Sequence, residues 1–361
     1  MIVRAKGARV FDAQGREYLD LCAGYGSIWL GHGDPAVNAA LTHQLETYAA
    51  PGYLPFPALE SAHAALAPYV PAGHRIGGLY STGMEAVEVA LRAAWAQTGR
   101  LDIAGFAGST HGRSFLTGAI GAGESLADRP FVHTLPGFDE AALGLGELAR
   151  RADLAAIVIE PVQMSGGGYE IGADRCAEVF RVAREHGCVV IFDETLTGLH
   201  RCGARSYAEA AGVAPDIMVL GKGLANGYPA AAVTLREGLA WDRERVRPGS
   251  TFWNHPLACA AIAATLAELA RLDAASRVAA MERIIRAELG RFELRGRGAM
   301  WCLGSPQAGR QKAFAQAIEN AGVVVSYYDR YIRLLPPLCI PEEDLRRACR
   351  AIASAYAATF G

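Results

Sequence analysis

Lysine is scarce in this chain of 361 residues: only three of its 35 lysine and arginine residues are lysines. The 37 acidic residues nearly balance the basic ones, and the net charge of −2 argues against a surface that binds nucleic acid. No basic N-terminal patch precedes an apolar run, and no apolar stretch reaches ~18 residues, so we expect neither secretion nor membrane spanning. The hydrophobic content of 51% is that of a globular protein and excludes a disordered chain.

Several sequence patterns of binding sites are also missing. The eight cysteines form no CxxC pair and no cluster with histidine, and Cys188 and Cys339 lie inside apolar runs. They are best explained as reduced core residues of a cytoplasmic protein, with no metal site. GxxxxGK[ST] does not occur, which excludes a P-loop NTPase. No GxGxxG follows a strand where a dinucleotide-binding fold would need it.

The centre of the chain alternates short apolar strands with helices. Strands are predicted at 157–159, 188–192 and 216–220, and the segment 174–186 is an amphipathic helix that ends at Gly187. Continuously apolar strands separated by helices are typical of a parallel sheet that is covered on both faces. In such sheets, ligands bind beyond the carboxyl ends of the strands.

The character of the chain changes near residue 256. Helices are predicted at 257–272 and 275–289, followed by short strands and a closing helix at 342–358. This pattern indicates a separate α+β lobe. A chain of 361 residues is long enough for more than one core, because single cores stop growing near ~250–300 residues.

Lys222 lies at the end of the predicted strand 216–220, where a glycine-rich loop begins. Burial of an amine at a strand end removes its hydration and disfavours the ammonium form. In that setting an amine becomes a nucleophile toward an aldehyde. Alternatively, Lys222 neutralises a carboxylate or a phosphate near the loop.

Asp193 directly follows the predicted strand 188–192. A buried carboxylate needs a cationic or hydrogen-bonding partner, because its desolvation is otherwise costly. If that partner is a pyridinium nitrogen, the carboxylate keeps the nitrogen protonated and the ring withdraws electrons from a carbanion. The alternative is a structural ion pair with a nearby arginine such as Arg201.

A third candidate is the start of the helix after Tyr80. Ser81, Thr82 and Gly83 allow close approach to the free amides of its first turn, which can bind a phosphate. The alternative is a capped helix without a ligand.

Together these residues belong to a longer pattern. The chain resembles, over nearly its whole length, the class III (ω-type) aminotransferases of pyridoxal-phosphate fold type I. The similar segments follow the family's order and are 11–20, 30–35, 82–88, 111–114, 160–163, 192–198, 215–223, 249–260 and 332–338. The last five include the motifs similar to the family's EPVQ, FDEVQTG, GKGL and IRLxPPL.

The resemblance implies a pyridoxal 5'-phosphate site. Lys222 would hold the cofactor and move the substrate proton, and Asp193 would pair with the pyridine nitrogen. The resemblance assigns cofactor contacts to Thr82, Gly83, Met84, Thr110, His111, Asp193, Thr195, Lys222 and, from a neighbouring subunit, Thr251. It assigns substrate contacts to Tyr25, Arg113, Ser165 and Arg333. Trp29 is a further pocket candidate, although core packing explains a tryptophan equally well.

Four positions depart from the family pattern. Thr110 stands where the family stacks an aromatic ring on the cofactor, so His111 or another side chain would cover it instead. Met84 replaces a threonine, and Leu196 replaces a glutamine. Ser165 stands where many members place a glutamate that pairs with the arginine matched by Arg333, which leaves that arginine available to a substrate carboxylate.

The resemblance implies a ping-pong transaminase that moves an amino group between an amine or amino acid and an oxo acid. A racemase, an aminomutase or a decarboxylase of the same fold would share these motifs, and a non-catalytic cofactor-binding protein is a further alternative. The expected fold is α/β, with a mostly parallel sheet between helices. Residues 46–250 would form the large domain, 251–361 the small domain and 1–45 a segment that joins the small lobe. The active sites would be shared within a cytoplasmic homodimer.

Overall fold

The computed structural model describes residues 1–49, 54–121, 130–328 and 330–361. The strands are β1 Ile2–Lys6, β2 Arg9–Asp12, β3 Glu17–Asp20, β4 His74–Tyr80, β5 Asp102–Phe106, β6 Val132–Leu135, β7 Leu154–Ile159, β8 Val162–Gln163, β9 Tyr169–Glu170, β10 Val189–Asp193, β11 Ile217–Leu220, β12 Ala231–Arg236, β13 Leu294–Arg297, β14 Met300–Gly304, β15 Val323–Val324, β16 Ser326–Tyr327 and β17 Tyr331–Leu334. The helices are α1 Ala23–Gly26, α2 Pro35–Thr47, α3 Pro57–Leu66, α4 Gly83–Thr98, α5 Leu145–Arg151, α6 Gly172–His186, α7 Tyr207–Ala211, α8 Pro256–Arg271, α9 Ala274–Leu289, α10 Gln311–Asn320 and α11 Glu342–Phe360.

The central sheet has the strand order β4-β12-β11-β10-β7-β5-β6. Neighbouring strands from β11 to β6 pair in parallel, whereas β12 is antiparallel to both β11 and β4. Every residue of β7, β10 and β11 is buried. Continuous burial explains why these strands are apolar on both faces, and the prediction of a mostly parallel sheet is confirmed.

Helices cover both faces of this sheet. On one face α4 packs on side chains such as Ile191 and Val219. On the other face α6 packs on Val190 and Phe192. Alternate residues of β10 therefore contribute to two different cores, as the two-residue period of a strand requires.

The remaining strands form two four-stranded sheets, β1-β2-β3-β15 and β13-β14-β17-β16, and a two-stranded sheet, β8-β9. In the first sheet, N-terminal β3 pairs in parallel with β15 near the other end of the chain. Consecutive strands β15 and β16 belong to different sheets, so the chain passes from one sheet to the other at Val325. Helix α8 contacts α2 and α3, and α9 contacts α11. Within the described ranges, no helix is both long and apolar enough to cross a membrane.

The sheet topology brings three chain segments to one edge. Strands β10 and β11 are parallel neighbours, so the chain segments that follow Asp193 and Leu220 leave the sheet at the same edge. Strand β4 runs in the same direction, because β12 is antiparallel to both β4 and β11. Helix α4 begins soon after β4 ends at Tyr80, so its N-terminus also lies at this edge.

Candidate active site

Lys222 lies two residues beyond β11, with a backbone φ of 43°. This left-handed conformation is uncommon for a residue with a side chain. The Nζ atom donates a hydrogen bond to Thr195 Oγ1 at 3.2 Å. Burial lowers the pKa of the amine below its ordinary value, and this outweighs the opposite effect of Asp193 and Glu160. The uncharged, nucleophilic form of Lys222 is therefore more accessible than in an exposed lysine.

Asp193 is buried at the end of β10 and contacts two groups. Its Oδ2 atom lies 2.8 Å from Nδ1 of His111, and its Oδ1 atom accepts a hydrogen bond from the Thr195 amide at 3.1 Å. Burial on its own would raise the pKa of this carboxyl group. The hydrogen bond with His111 and the electrostatic interactions with His111 and Lys222 outweigh burial, so the pKa of Asp193 lies below its usual value. The carboxylate is thus ionised although it is buried.

Arg201, the alternative partner for Asp193, forms other contacts. It is buried and donates hydrogen bonds to the carbonyl oxygens of Gly26, Ala299 and Pro336. Its guanidinium carbon lies 3.8 Å from the centre of the Trp29 ring. The structural ion pair between Asp193 and Arg201 is therefore not formed.

Two side chains cap the start of helix α4. Thr82 Oγ1 accepts a hydrogen bond from the Glu85 amide, and the Glu85 carboxylate accepts one from the Ser81 amide, both at 3.1 Å. The amides of Gly83 and Met84 belong to the first turn of the helix. No earlier turn provides a backbone carbonyl to accept their hydrogen bonds, so they are available to a ligand. A Cβ atom at Gly83 would lie 2.9 Å from Thr195 Cγ2, so a larger residue would require Thr195 to move. The helix start can bind an anion.

Two cavities meet at Lys222 and Thr110. The smaller has a volume of about 220 Å³, and every predicted cofactor contact except Thr82 and Thr251 lines it. The larger has a volume of about 400 Å³, and the predicted substrate residues Tyr25, Arg113, Ser165 and Arg333 line it. The shared lysine thus lies between a cavity suited to a cofactor and one suited to a substrate.

The structure does not bring three predicted residues to these cavities: Trp29, Thr251 and Thr82, whose side chain caps α4. Trp29 is buried in the core, where its indole nitrogen donates a hydrogen bond to the Leu199 carbonyl at 2.8 Å. Thr251 is exposed and lines neither cavity of its own chain. The core-packing alternative therefore describes Trp29.

Glu160 and Tyr328 also line the larger cavity and were not predicted as site residues. Glu160 directly follows β7, and its carboxylate accepts a hydrogen bond from the Thr110 amide at 2.9 Å. Burial raises its pKa to about 7, although Lys222 and His111 act in the opposite direction. Glu160 carries the same signal as Asp193, a carboxylate after a buried strand, and could have been found. Tyr328 has no such signal, because only the β16–β17 pairing brings it to the site.

The residues of the smaller cavity fit pyridoxal phosphate. The helix start is suited to the phosphate, the ionised Asp193 carboxylate to the ring nitrogen, and the Lys222 amine to the aldehyde. The buried Nε2 atom of His111 has no hydrogen-bond partner among the described residues. His111 lines this cavity next to Thr110, the position at which the similar family has an aromatic residue. The hydrogen bond with Asp193 fixes the orientation of the His111 ring.

Comparisons with known proteins agree with this geometry. The model of the family described as Aminotransferase class-III matches residues 1–356. Acetylornithine aminotransferase of Methanopyrus kandleri is 35% identical and covers 99% of this chain and 94% of its own. Diaminobutyrate--2-oxoglutarate aminotransferase of Rhizobium meliloti is 31% identical and covers 98% of this chain and 87% of its own.

A solved structure shows the same fold. The ornithine aminotransferase of Toxoplasma gondii, which was crystallised with partial occupancy of pyridoxal phosphate, has a TM-score of 0.88 to this chain. It is 26% identical and covers 99% of this chain and 90% of its own. The likeness confirms the prediction of pyridoxal-phosphate fold type I. The chain belongs to the class III aminotransferases and is a pyridoxal-phosphate-dependent transaminase.

Proposed function

We propose that this transaminase uses a 2-oxo acid with a second carboxylate, such as 2-oxoglutarate, as its amino acceptor, and that Arg333 binds one of the carboxylates. One observation carries the proposal. Arg333 is a buried cation that lines the same cavity as Lys222, and it forms no ion pair among the described residues. A buried charge without an ionic partner favours an anionic ligand.

A second arginine supports a substrate with two carboxylates. Arg113 lines the larger cavity and is exposed, whereas Arg333 is buried. The name of the Rhizobium meliloti relative includes 2-oxoglutarate, and the names of both relatives include an amino acid that carries a second nitrogen. We therefore propose an amino acid with a second nitrogen, free or acylated, as the donor.

Residues of the smaller cavity have separate roles in the proposed reaction. Pyridoxal phosphate, when bound, supplies an aldehyde for the amino group and a ring that withdraws electrons from the carbon that loses its proton. Lys222 then moves that proton, because burial makes its amine available as a base. Asp193, held by His111, keeps a positive charge on the ring nitrogen. Gly83 and Met84 offer amides to the phosphate, and Thr195 accepts a hydrogen bond from Lys222 when the amine is free.

The assembly follows from the same residues. We propose a homodimer in which Thr251 contacts the phosphate of the other subunit, since Thr251 is exposed and lies outside the cavities of its own chain. The pairing of β3 with β15 supports a small lobe made of residues 1–45 and 251–361, beside a large domain of residues 46–250.

The eight cysteines, all within the described ranges, are unpaired, which supports a cytoplasmic location.

Substitution of the two arginines tests the substrate proposal. A charged bidentate contact contributes about 1.5–3 kcal/mol, so Arg333→Lys and Arg113→Lys should each raise KM for 2-oxoglutarate about ten- to a hundredfold. KM for butanal, an acceptor without a carboxylate, should change little. Arg181→Lys, on an exposed helix face, is the matched control. Equal losses with both acceptors would show that these arginines stabilise the site rather than bind the substrate.

A further inference from the structure

Arg333 forms no ion pair within the part of the chain that the structure describes, and two aromatic rings lie near its guanidinium group. Arg333 lies in β17 opposite Ser326 of β16, and its Nε atom donates a hydrogen bond to Ser326 Oγ at 3.2 Å. Its guanidinium carbon lies 4.4 Å from the centre of the Tyr328 ring and 5.5 Å from that of the Tyr25 ring. Both distances are within the range of a cation–π interaction.

The position of the Tyr328 ring is itself fixed by neighbouring groups. The ring stacks on that of Tyr331, with centroids 5.4 Å apart and planes at 18°. The Tyr328 amide donates a hydrogen bond to the Tyr331 carbonyl at 2.8 Å, and the Tyr331 hydroxyl donates one to the carbonyl of Ser165. A continuous series of contacts therefore joins Ser165 to the Arg333 guanidinium.

An aromatic ring and a carboxylate act differently on a buried guanidinium. A carboxylate neutralises its charge and occupies its N–H donors, so a substrate carboxylate has to displace it. A ring attracts the cation through its electron-rich face, restricts its position and leaves its net charge in place. The rings also reduce the access of water, which strengthens a charge-assisted hydrogen bond to a ligand.

We propose that Tyr328 determines specificity: its ring, assisted by Tyr25, holds Arg333 in position as a permanently available receptor for a substrate carboxylate. This inference rests on the proposed function, in which Arg333 binds that carboxylate. It assigns to Tyr328 the restraint that an acidic partner of Arg333 would otherwise provide. The selectivity for anionic acceptors should then depend on the ring at position 328.

The test measures two quantities with the holoenzyme. One is KM for 2-oxoglutarate beside KM for butanal, and the other is the Kd of glutarate, a dicarboxylate that is not an amino acceptor, by titration calorimetry. Tyr328→Leu removes the ring and should raise both KM for 2-oxoglutarate and the Kd of glutarate about tenfold, with little effect on butanal. Tyr328→Phe keeps the ring and should restore most of the affinity lost in Tyr328→Leu.

The chain offers a matched control in Tyr327, which precedes Tyr328, is 47% exposed and lies outside the cavity. Tyr327→Leu should leave both quantities as in the wild-type enzyme. If Tyr328→Leu fails to fold, Tyr25→Leu replaces it. The Tyr25 ring is 61% exposed and more distant from Arg333, so its loss should raise the Kd of glutarate by a smaller factor.

Arg333→Met separates this inference from the proposed function. If Arg333→Met weakens glutarate and Tyr328→Leu does not, the role of Tyr328 is refuted and the carboxylate site remains. If Tyr328→Phe and Tyr328→Leu have equal effects, the hydroxyl group matters rather than the ring, and the inference is also refuted. If Arg333→Met leaves the Kd of glutarate unchanged, the proposed carboxylate site itself is wrong.

Discussion

The Nδ1 atom of His111 lies 2.8 Å from Oδ2 of Asp193, and both side chains are almost completely buried. In that environment burial alone would favour the neutral carboxyl group. The pKa of Asp193 is nevertheless below its usual value, because the hydrogen bond with His111 and the electrostatic interactions with His111 and Lys222 outweigh burial. His111 is therefore the main group that favours the ionised form of Asp193, the proposed partner of the cofactor ring, and Lys222 acts in the same direction.

Asp193→Asn tests the proposed role of Asp193 as the charged partner of the cofactor's ring nitrogen. The substitution keeps the shape of the side chain and removes its charge, so the hydrogen bond to the ring nitrogen is no longer charge-assisted. We expect the affinity for pyridoxal phosphate to fall about ten- to a hundredfold, together with a loss of activity. Cofactor titration of the apoenzyme measures the first effect. Asp139→Asn, at an exposed position, serves as the control, and an unchanged cofactor affinity in Asp193→Asn would refute the role.

Lys222 should carry the cofactor covalently, and the purified protein should be yellow. The prediction rests on its position between the two cavities and on its lowered pKa. Borohydride reduction followed by peptide mapping should place the label on Lys222. Lys6 and Lys312 are the other two lysines and act as internal controls. A label on either of them, or no label, would contradict the assignment.

Mixed dimers test whether Thr251 completes the site of the other subunit. Lys222→Ala and Thr251→Ala should each be inactive as homodimers. After subunit exchange, one site of each heterodimer carries both defects and the other carries neither, so part of the activity should return. Exchange is verified by separately tagged subunits. If exchange is complete and no activity returns, the shared site is wrong.

Glu160→Gln should reduce the pH dependence of stability in the cofactor-free enzyme. The folded-state pKa of Glu160, about 7, is above the ordinary value of 4.5 because of burial. The protonated form therefore contributes stability that is complete below pH ~4.5 and is lost as the pH rises through about 7. From pH 5 to pH 8, the wild-type protein should lose about 2 kcal/mol more than Glu160→Gln in the free energy of unfolding. Urea unfolding at both pH values measures this difference. If the free energy of unfolding falls equally in the wild-type protein and in Glu160→Gln, the shifted pKa of Glu160 is refuted.

Ser165→Glu should place a carboxylate in the cavity of Arg333. An ion pair with Arg333 would compete with the substrate, so we expect KM for 2-oxoglutarate to rise about tenfold, with a smaller effect on butanal. Ser165→Gln has the same length without the charge and is the matched control. If both variants raise KM equally, the effect is steric, and competition for Arg333 is excluded.

The sequence by itself determined the fold class and the two central residues. Lys222 and Asp193 each follow an apolar strand, and the carboxyl ends of parallel strands lie at the same edge of a sheet. The proximity of Lys222 and Asp193 therefore follows from a local pattern. The start of α4 is equally local, because Thr82 and Glu85 cap it through hydrogen bonds with the amides of residues that lie close in sequence. The family motifs added the cofactor and the reaction.

Only the tertiary structure decided which groups meet these residues. A buried charge takes the partner that packing brings to it, and sequence proximity does not specify that partner. Asp193 contacts His111, which lies 82 residues away, although Arg201 is far closer along the chain. Trp29 joins the core instead of the cavity, and the pairing of β16 with β17 brings Tyr328 to Arg333. These contacts depend on long-range packing, which no local pattern of residues encodes.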